Sequence, residues 1–268
     1  MYDLREVVGW KYGARRQQSC GRLRIAGVVG LAVKEDEETG GRPHAHFHGV
    51  MRCGSVWACP VCAMAVKVVR AREVEHAVSA WREDGGEVWM LTLTLRHDAL
   101  DGLEDLKEGL ANAYRRLTRG EPWKRFRTQV GMDHSIRALE VTHGENGWHP
   151  HLHVLLFVQR PDGLAGESAR QWLSDRWASC VRRELRRLGN GPDDAHGLDL
   201  RPARSARYIA KLGLEISDPF AKRGRRGNRS ALQIAADISR HDRPEDVALW
   251  REHCAAMHGA RQLTWSRG

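Results

Sequence analysis

The sequence predicts an α+β fold, with a central antiparallel sheet that carries a histidine hairpin, helices that flank it, and a small cysteine-bearing element at the N-terminus. Segments with helical and with strand periodicity are interspersed along the 268 residues. The two central strands are joined by a loop of hairpin length, which implies antiparallel pairing. Three of the six cysteines, Cys53, Cys59 and Cys62, cluster near the N-terminal strands. These observations favour the α+β class over a parallel sheet.

The N-terminal third is rich in glycine and predicts strands followed by a helix. Two strands, Leu23–Val33 and about Ala45–Met51, are expected around the charged turn Lys34–Arg42. Apolar residues at helical spacing predict a helix over Ala63–Arg82. A β-rich run over Glu87–Arg96 predicts the first strand of the central sheet.

The remainder of the chain predicts one hairpin between helices. The elements expected there are a helix at Asp101–Thr118, strands at Ser135–Thr142 and His151–Val158, and helices at Glu167–Leu188, Ala203–Leu214, Ser230–Arg240 and Pro244–His258. We expect three parts: zinc-stabilised N-terminal strands and a helix (1–82), a metal-binding core (83–220), and a basic loop with C-terminal helices (221–268).

Composition and charge narrow the class of protein. The net charge is +9, and only seven of the 43 basic residues are lysine. Because guanidinium groups match phosphate oxygens in a two-pronged contact, this surface favours nucleic-acid partners. The alternative is a solvated surface that reflects a bias towards arginine codons. No apolar stretch approaches the ~20 residues of a membrane span, and Met1–Tyr12 lacks a secretory core, so we expect a cytoplasmic protein.

The central hairpin has the spacing of a metal site. In a strand, His151 and His153 project from one face, ~6.6 Å apart, so both imidazoles can reach one ion. If the turn centres near Asn146–Gly147, Glu140 lies opposite His153 and Thr142 lies opposite His151, and the carboxylate shares the face of the two histidines. Two histidines and one carboxylate with open positions suit Mg²⁺ or Mn²⁺ next to a phosphate.

Two other interpretations of these histidines stay open at this point. They can be ordinary core or surface residues with satisfied hydrogen bonds. They can also belong to a closed structural zinc site, with His143 or His149 as the fourth ligand.

A second cluster of chemistry is expected on the predicted helix at Ala203–Leu214. At helical spacing, Arg204, Tyr208, Lys211 and Glu215 share one face. Nearby positive charge favours the phenolate, so Tyr208 is a candidate nucleophile. The alternative is an amphipathic helix whose tyrosine packs with its hydroxyl at the surface.

The cysteine cluster predicts a structural zinc site. Cys59-Pro-Val-Cys62 opens a helix, and together with Cys53 it supplies three of the four ligands of a tetrahedral site. We expect Cys20 to be the fourth ligand and the zinc ion to stabilise the N-terminal strands. Other candidates for the fourth ligand are the nearby histidines His44, His46 and His48.

These motifs, in this order, resemble those of the HUH endonucleases, and more closely the rolling-circle replication initiators of small Gram-positive and actinobacterial plasmids. The histidine motif His149–His153 reads HPHLH, and Tyr208–Lys211 follows it as Tyr-x-x-Lys. Leu91–Leu95 resembles the family's threonine-containing strand, and Cys53–Cys62 resembles its cysteine segment. The resemblance extends over about Cys20–Lys211. Conjugative relaxases usually place the tyrosine near the N-terminus, which argues against that branch.

The resemblance implies a site-specific nick in one DNA strand at a plasmid origin. A divalent ion held by Glu140, His151 and His153 would polarise the scissile phosphate. Tyr208 would attack it, stay joined to the 5′-phosphate and free a 3′-hydroxyl primer, with Lys211 positioning the phosphate or the phenolate. Some relatives activate water with a glutamate one turn before the tyrosine. Here Arg204 stands at that position, and Glu215 is the substitute candidate.

The implied partners are single-stranded or hairpin DNA at the plasmid's double-strand origin, and the host helicase and replication machinery, with no membrane. Trp148 is the candidate for stacking on a base near the metal. The arginines expected at the DNA are Arg182, Arg183, Arg186, Arg187, Arg204 and Arg207. The rival functions are an HUH transposase with the same chemistry, and a zinc-stabilised DNA-binding protein without catalysis.

Overall fold

The computed structural model describes residues 15–36, 41–159, 166–184, 197–203 and 228–266. The N-terminal elements are α1 (Arg15–Gln18), β1 (Gly30–Asp36), β2 (Gly41–His48) and α2 (Pro60–Glu83). The central elements are β3 (Glu87–Thr94), α3 (Leu103–Leu117), α4 (Gly120–Gln129), β4 (Met132–Gly144), β5 (Gly147–Val158) and α5 (Gly166–Glu184). The C-terminal elements are β6 (Leu198–Pro202), β7 (Arg229–Ser230), α6 (Ala231–His241), α7 (Pro244–Ala256) and β8 (Leu263–Trp265).

The main sheet is antiparallel at every pairing that the described residues make. Its strand order is β6-β3-β5-β4-β7, and β8 pairs with β4 beside β7. The long strands β4 and β5 form the central hairpin. The predicted α+β class with a central antiparallel sheet flanked by helices is therefore confirmed.

The two faces of this sheet pack against different helices. On β5, Leu152, Val154 and Leu156 belong to the large core that includes the apolar sides of α3 and α5. The alternate residues Leu155 and Phe157 belong to a smaller core with Val74 and Val78 of α2. We call these two sides the α3/α5 face and the α2 face. Because side chains alternate along a strand, His151 and His153 lie on the α2 face.

The N-terminal strands are shifted towards the turn from their predicted bounds. β1 and β2 pair from Gly30–His48 to Asp36–Gly41, so the charged residues assigned to the turn extend the strands. Between Leu23 and Gly30, the one β-type pairing among the described residues is an isolated bridge from Arg24 to Val50. The prediction of a strand from Leu23 was wrong because apolar composition does not provide a pairing partner.

Several short elements had no prediction. Strands β6, β7 and β8 contain only two to five residues each, and their extended conformation depends on pairing with β3 or β4. Helix α4 has two well-buried side chains, Trp123 and Phe126, which is a weak periodic signal. Helix α5 is described to Glu184, and the predicted helix Ala203–Leu214 lies, apart from Ala203, outside the described residues. None of the described helices is long and apolar enough to cross a membrane. The division into three parts stays a prediction.

Candidate metal centres

The β4–β5 hairpin has a two-residue turn, Glu145–Asn146, closed by Gly144 opposite Gly147. Gly147 has φ +81°, and a Cβ there would lie 2.9 Å from the backbone of Ala99, so the position requires glycine. The turn is one residue earlier than we expected. Since moving the turn by one residue moves the register by two, the opposing pairs change while the faces do not.

The register corrects the predicted neighbours of the hairpin. Glu140 lies opposite His151 rather than His153, and Thr142 lies opposite His149. His153 lies opposite Ala138. The small side chain of Ala138 leaves room beside it for the Glu140 carboxylate to reach both histidines.

Glu140, His151 and His153 converge on one point of the α2 face. Glu140 Oε2 lies 3.0 Å from His151 Nε2 and 3.2 Å from His153 Nε2. One ligand atom from each residue lies within 4.8 Å of the other two. The three side chains are only 12 to 25% exposed, so the cluster is open on one side but protected from bulk water. Its donor set fits a single divalent ion with vacant positions for a substrate.

Neighbouring groups orient both imidazole rings. Thr92 Oγ1 lies 3.1 Å from His153 Nδ1, and the carbonyl oxygen of His149 lies 3.3 Å from His151 Nδ1. A carbonyl oxygen only accepts, so His151 Nδ1 donates, and in the neutral ring Nε2 carries the lone pair that a metal ion would use. The same outer contacts fix the rings of metal-binding histidines in other proteins. In the threonine-containing strand, Thr92 thus orients the ring of a candidate metal ligand, His153.

The charges in this cluster are coupled. Burial alone would raise the pKa of Glu140, but His151 and His153 outweigh it and hold the carboxylate ionised, with a pKa well below its usual range. Burial opposes protonation of His151, yet Glu140 raises its pKa overall. The pKa of His149 falls to about 3, first because of burial and then because His151 and His97 are close. His149 is therefore neutral at physiological pH.

The other candidate ligands of this centre lie apart from it. In the described chain the set consists of three residues, without His149 or His143. His143 packs edge-on against Trp148, with ring centroids 4.9 Å apart, on the α3/α5 face. The geometry does not support the closed zinc site with a fourth histidine.

A buried lysine beside Glu140 was missed in the sequence. Lys67 on α2 is only 7% exposed, and it lines a cavity of about 60 Å³ together with Glu140. Burial lowers its pKa to about 8, against the opposing effect of the Glu140 charge. The available signal was a lysine among apolar residues on the inner side of the helix. It brings a positive charge to the metal face.

The four predicted cysteines form a second cluster. Cys20 Sγ lies 3.3 Å from Cys62 Sγ and 3.8 Å from Cys59 Sγ, and Cys53 Sγ lies 3.6 Å from Cys62 Sγ. Four thiolates around Zn²⁺ at ~2.3 Å would have their sulfurs about 3.8 Å apart. None of these sulfur pairs is at the ~2.05 Å of a disulfide. The spacing therefore fits a tetrahedral zinc site.

Proton sharing between the thiols supports the same interpretation. Hydrogen bonds from Cys53 and Cys59 lower the pKa of Cys62, while the pKa of Cys59 is raised by its bonds to the other thiols and by burial. Cys62 is favoured as the thiolate and Cys59 is held protonated, because each thiol is bonded to its neighbours in the cluster. His46 and His48 are not part of the described cluster.

Trp148 has a different position from the one predicted. It is 2% exposed, and its Nε1 donates to Glu252 Oε2 over 2.9 Å. Its ring packs between His143 and His253. The expected role of Trp148 in stacking on DNA bases was wrong, because in a strand it points to the α3/α5 face while His149 and His151 point to the other.

The remaining predicted site residues divide between exposed and undescribed positions. Arg182 and Arg183 lie in the last turn of α5, and both are exposed. The residues Tyr208, Lys211, Glu215, Arg186, Arg187, Arg204 and Arg207 lie outside the described part of the chain. Their roles stay predictions.

An antiparallel sheet with a Glu/His/His centre on one face, and a four-cysteine cluster at the start of the helix that covers it, defines a protein with two candidate metal sites. The sequence matches the Rep_1 family, described as replication protein, over residues 44–187. This chain therefore belongs to that family of replication proteins. The match includes both histidine ligands, Glu140 and three of the four cysteines.

Individual relatives agree with this membership. A Rep protein of Streptomyces lividans is 30% identical over 82% of this chain and 63% of its own length. A Rep protein of a Bacillus species is 31% identical over 80% of this chain and 68% of its length. A protein of Streptomyces cyanogenus named for neomycin resistance is 36% identical over 44% of this chain and 33% of its length. The chain thus spans a third to about two thirds of these relatives. No solved structure shows a significant match.

Proposed function

We propose that this chain initiates rolling-circle replication by nicking one strand of plasmid origin DNA and transferring it to a tyrosine. The observation that carries the proposal is the convergence of Glu140, His151 and His153 on one face of the sheet. Membership in the replication protein family supports it. The name Rep, borne by relatives from Streptomyces and Bacillus, points in the same direction.

Glu140, His151 and His153 would hold a Mg²⁺ or Mn²⁺ ion through one carboxylate oxygen and the two Nε2 atoms. When bound, such an ion supplies Lewis-acid polarisation of a phosphodiester. Thr92 and the His149 carbonyl hold the imidazole rings in the orientation that this requires. The ionised Glu140 contributes the single negative charge of the set.

The covalent step belongs to Tyr208. Its phenolic oxygen forms a bond to phosphorus as the bond from phosphorus to the 3′-oxygen breaks. The phenol gives up its proton, and the departing oxygen ends as a 3′-hydroxyl group that can prime synthesis. Lys211, one turn away on the predicted helix, favours the phenolate. Glu215 is proposed to activate water when the last transfer ends in hydrolysis.

Lys67 adds a positive charge to the site, next to that of the proposed metal ion. It lies on the helix that covers the metal face and lines a cavity with Glu140. An ammonium group at this position attracts a phosphodiester and favours the additional negative charge of the transition state. We propose it as a positioning residue for the DNA phosphate.

The cysteine cluster has a structural part in this proposal. Cys59 precedes α2, Cys62 lies in its first turn, and Lys67 follows five residues later. A zinc ion held by the four thiolates would fix the start of the helix and so the position of Lys67. The proposed partners are single-stranded or hairpin origin DNA and the host helicase.

The proposal is tested by a denaturing gel with labelled single-stranded DNA from the replicon that encodes this chain. We expect a slow-migrating protein–DNA adduct that requires Mn²⁺ and disappears in Tyr208→Phe. Tyr114→Phe is the matched control, because Tyr114 lies on α3, whose inner side packs on the other face of the sheet. Nicked DNA without an adduct would exclude Tyr208 as the nucleophile. Absence of cleavage in every fragment would refute the enzymatic function.

A substitution of Lys67 is expected to change the stability of the protein and its cleavage activity in opposite directions. The folded pKa of about 8 lies below the ordinary value of 10.5, so the folded state disfavours the charged lysine. Lys67→Met should raise the free energy of unfolding at pH 7 by up to roughly 3 kcal/mol. This gain should shrink as the pH rises from about 8 to about 10.5, because the wild-type lysine then loses its proton. Strand cleavage should fall by roughly 10²-fold.

Denaturant unfolding at several pH values measures the first effect, and the gel assay measures the second. Lys124→Met removes an exposed lysine of α4 and is the control. A Lys67→Met protein that is more stable and as active as wild type would exclude a functional role for this charge.

A further inference from the structure

A cluster of five arginines in the described chain lies away from the metal ligands. A groove of about 440 Å³ runs between α3 and α5, where the C-terminal halves of both helices meet. It is lined by Arg115, Arg116, Arg119, Arg176 and Arg183, with Asn112, Ser179, Cys180 and Glu184. Five positive charges face one negative charge. We call it the arginine groove.

The arginine groove lies on the opposite side of the sheet from the metal ligands. Both of its helices pack their apolar sides into the core of the α3/α5 face, and Leu110 and Trp177 are examples. Glu140, His151 and His153 lie on the α2 face. The groove therefore cannot hold the phosphate that is cleaved.

Two of the five arginines build the groove. Arg176 donates to the carbonyl oxygens of Leu117, at 2.9 Å, and Arg119, at 2.8 Å, and so satisfies the open end of α3. Arg116 pairs with Glu184 across the groove. These contacts fix the distance between the helices, and they also provide the positive charge that the end of a helix favours.

The other three arginines of the groove do not make contacts of this kind. The guanidinium groups of Arg115, Arg119 and Arg183 have no hydrogen-bond or ion-pair partner within the described ranges. All three are exposed. Cations held close together repel one another, so this arrangement favours an anionic partner with several charges.

The chemistry of the lining selects between forms of nucleic acid. Proteins that bind single strands stack bases on aromatic side chains, and the groove has no aromatic residue in its lining. The nearby Trp172 stacks on Phe126 instead, with ring centroids 4.5 Å apart. A lining of arginines with asparagine and serine suits phosphate and sugar contacts, which position a duplex without reading its sequence.

We propose that the arginine groove binds the phosphate backbone of double-stranded DNA. The chain would hold the duplex on the α3/α5 face and cleave the exposed strand on the α2 face. This inference deepens the proposed function, on which it rests for DNA as the partner. Asp105 and Glu108, in an adjoining depression on α3, restrict the contact to the C-terminal half of the helix.

The test is the triple variant Arg115→Gln, Arg119→Gln, Arg183→Gln in the full chain. Its matched control is Arg240→Gln, Arg243→Gln, Arg261→Gln, which removes three exposed charges elsewhere. Fluorescence anisotropy measures binding of a short mixed-sequence duplex and of one of its strands over a range of salt. We expect duplex affinity to fall roughly 10- to 100-fold, and the dependence of log K on log salt to lose about 0.9 per contact. The control should keep both values.

Cleavage of a single-stranded substrate distinguishes this inference from the proposed function. The groove variant should cleave it at the wild-type rate, and thermal unfolding should show that the fold is intact. Unchanged duplex binding, or an equal loss for duplex and single strand, would overturn the inference. If even the wild type fails to cleave while the variant loses duplex binding, the proposed function fails and the duplex-binding surface stands.

Discussion

Glu140→Gln is expected to abolish binding of Mn²⁺ at the histidine hairpin and, with it, strand cleavage. The substitution keeps the shape of the side chain but removes the only negative charge among the three candidate ligands. Two neutral imidazoles with an amide are a poor site for Mn²⁺, which favours carboxylate oxygen. The loss of affinity should exceed the roughly 10- to 100-fold that follows from loss of an outer contact alone.

Binding can be measured without any reaction, by the electron paramagnetic resonance signal of free Mn²⁺ during a titration. Glu145→Gln is the matched control, since Glu145 is exposed in the turn of the same hairpin. Wild type and control should bind one ion per chain at this site. A Glu140→Gln protein that binds Mn²⁺ as tightly as wild type would show that the carboxylate is not a ligand.

The second large effect concerns the cysteine cluster. Cys59→Ser should eliminate one bound zinc ion per chain and destabilise the N-terminal part by several kcal/mol. Structural zinc sites in small domains supply about 10 kcal/mol or more of folding free energy at neutral pH. Cleavage should fall as well. Cys62 lies in the first turn of α2, five residues before Lys67. Without zinc, the start of this helix would no longer hold Lys67 in position.

Zinc content is measured by mass spectrometry of the purified protein, and stability by thermal unfolding with and without a chelator. Cys254→Ser is the control, since this half-buried thiol lies outside the cluster and burial raises its pKa to about 12. Protons compete with zinc for thiolates, so the midpoint in the presence of zinc should fall with decreasing pH. Wild-type protein that contains no zinc and is indifferent to chelator would contradict the assignment.

The parts of the fold with strong local periodicity were predicted well. Helices α2, α3, α6 and α7 each lie within three residues of their predicted ends, because their own apolar spacing determines which side is buried. The short strands β6 and β8 were missed, since only their hydrogen bonds to β3 and β4 make them strands. The amino-acid composition of a short segment does not indicate which strand it will pair with.

The Glu/His/His centre shows how an error in register can leave a site intact. The predicted turn was one residue late, so every opposing pair in the hairpin was assigned incorrectly. The face of Glu140 was nevertheless correct, because a shift of two residues preserves the alternation of side chains. For Trp148 the prediction failed for a related reason. Trp148 is adjacent to His149 in the sequence, and successive side chains of a strand point to opposite faces.

Both candidate metal sites could be predicted from the amino-acid sequence, because most of their ligands follow from local rules. Residues two apart on a strand share a face, and a Cys-x-x-Cys turn at a helix start brings two thiols together. Three features became visible only in the folded chain: Lys67 lies beside Glu140, Trp148 is enclosed, and arginines of α3 and α5 form one groove. Those contacts join segments tens of residues apart, and they depend on how helices pack on the two faces of the sheet.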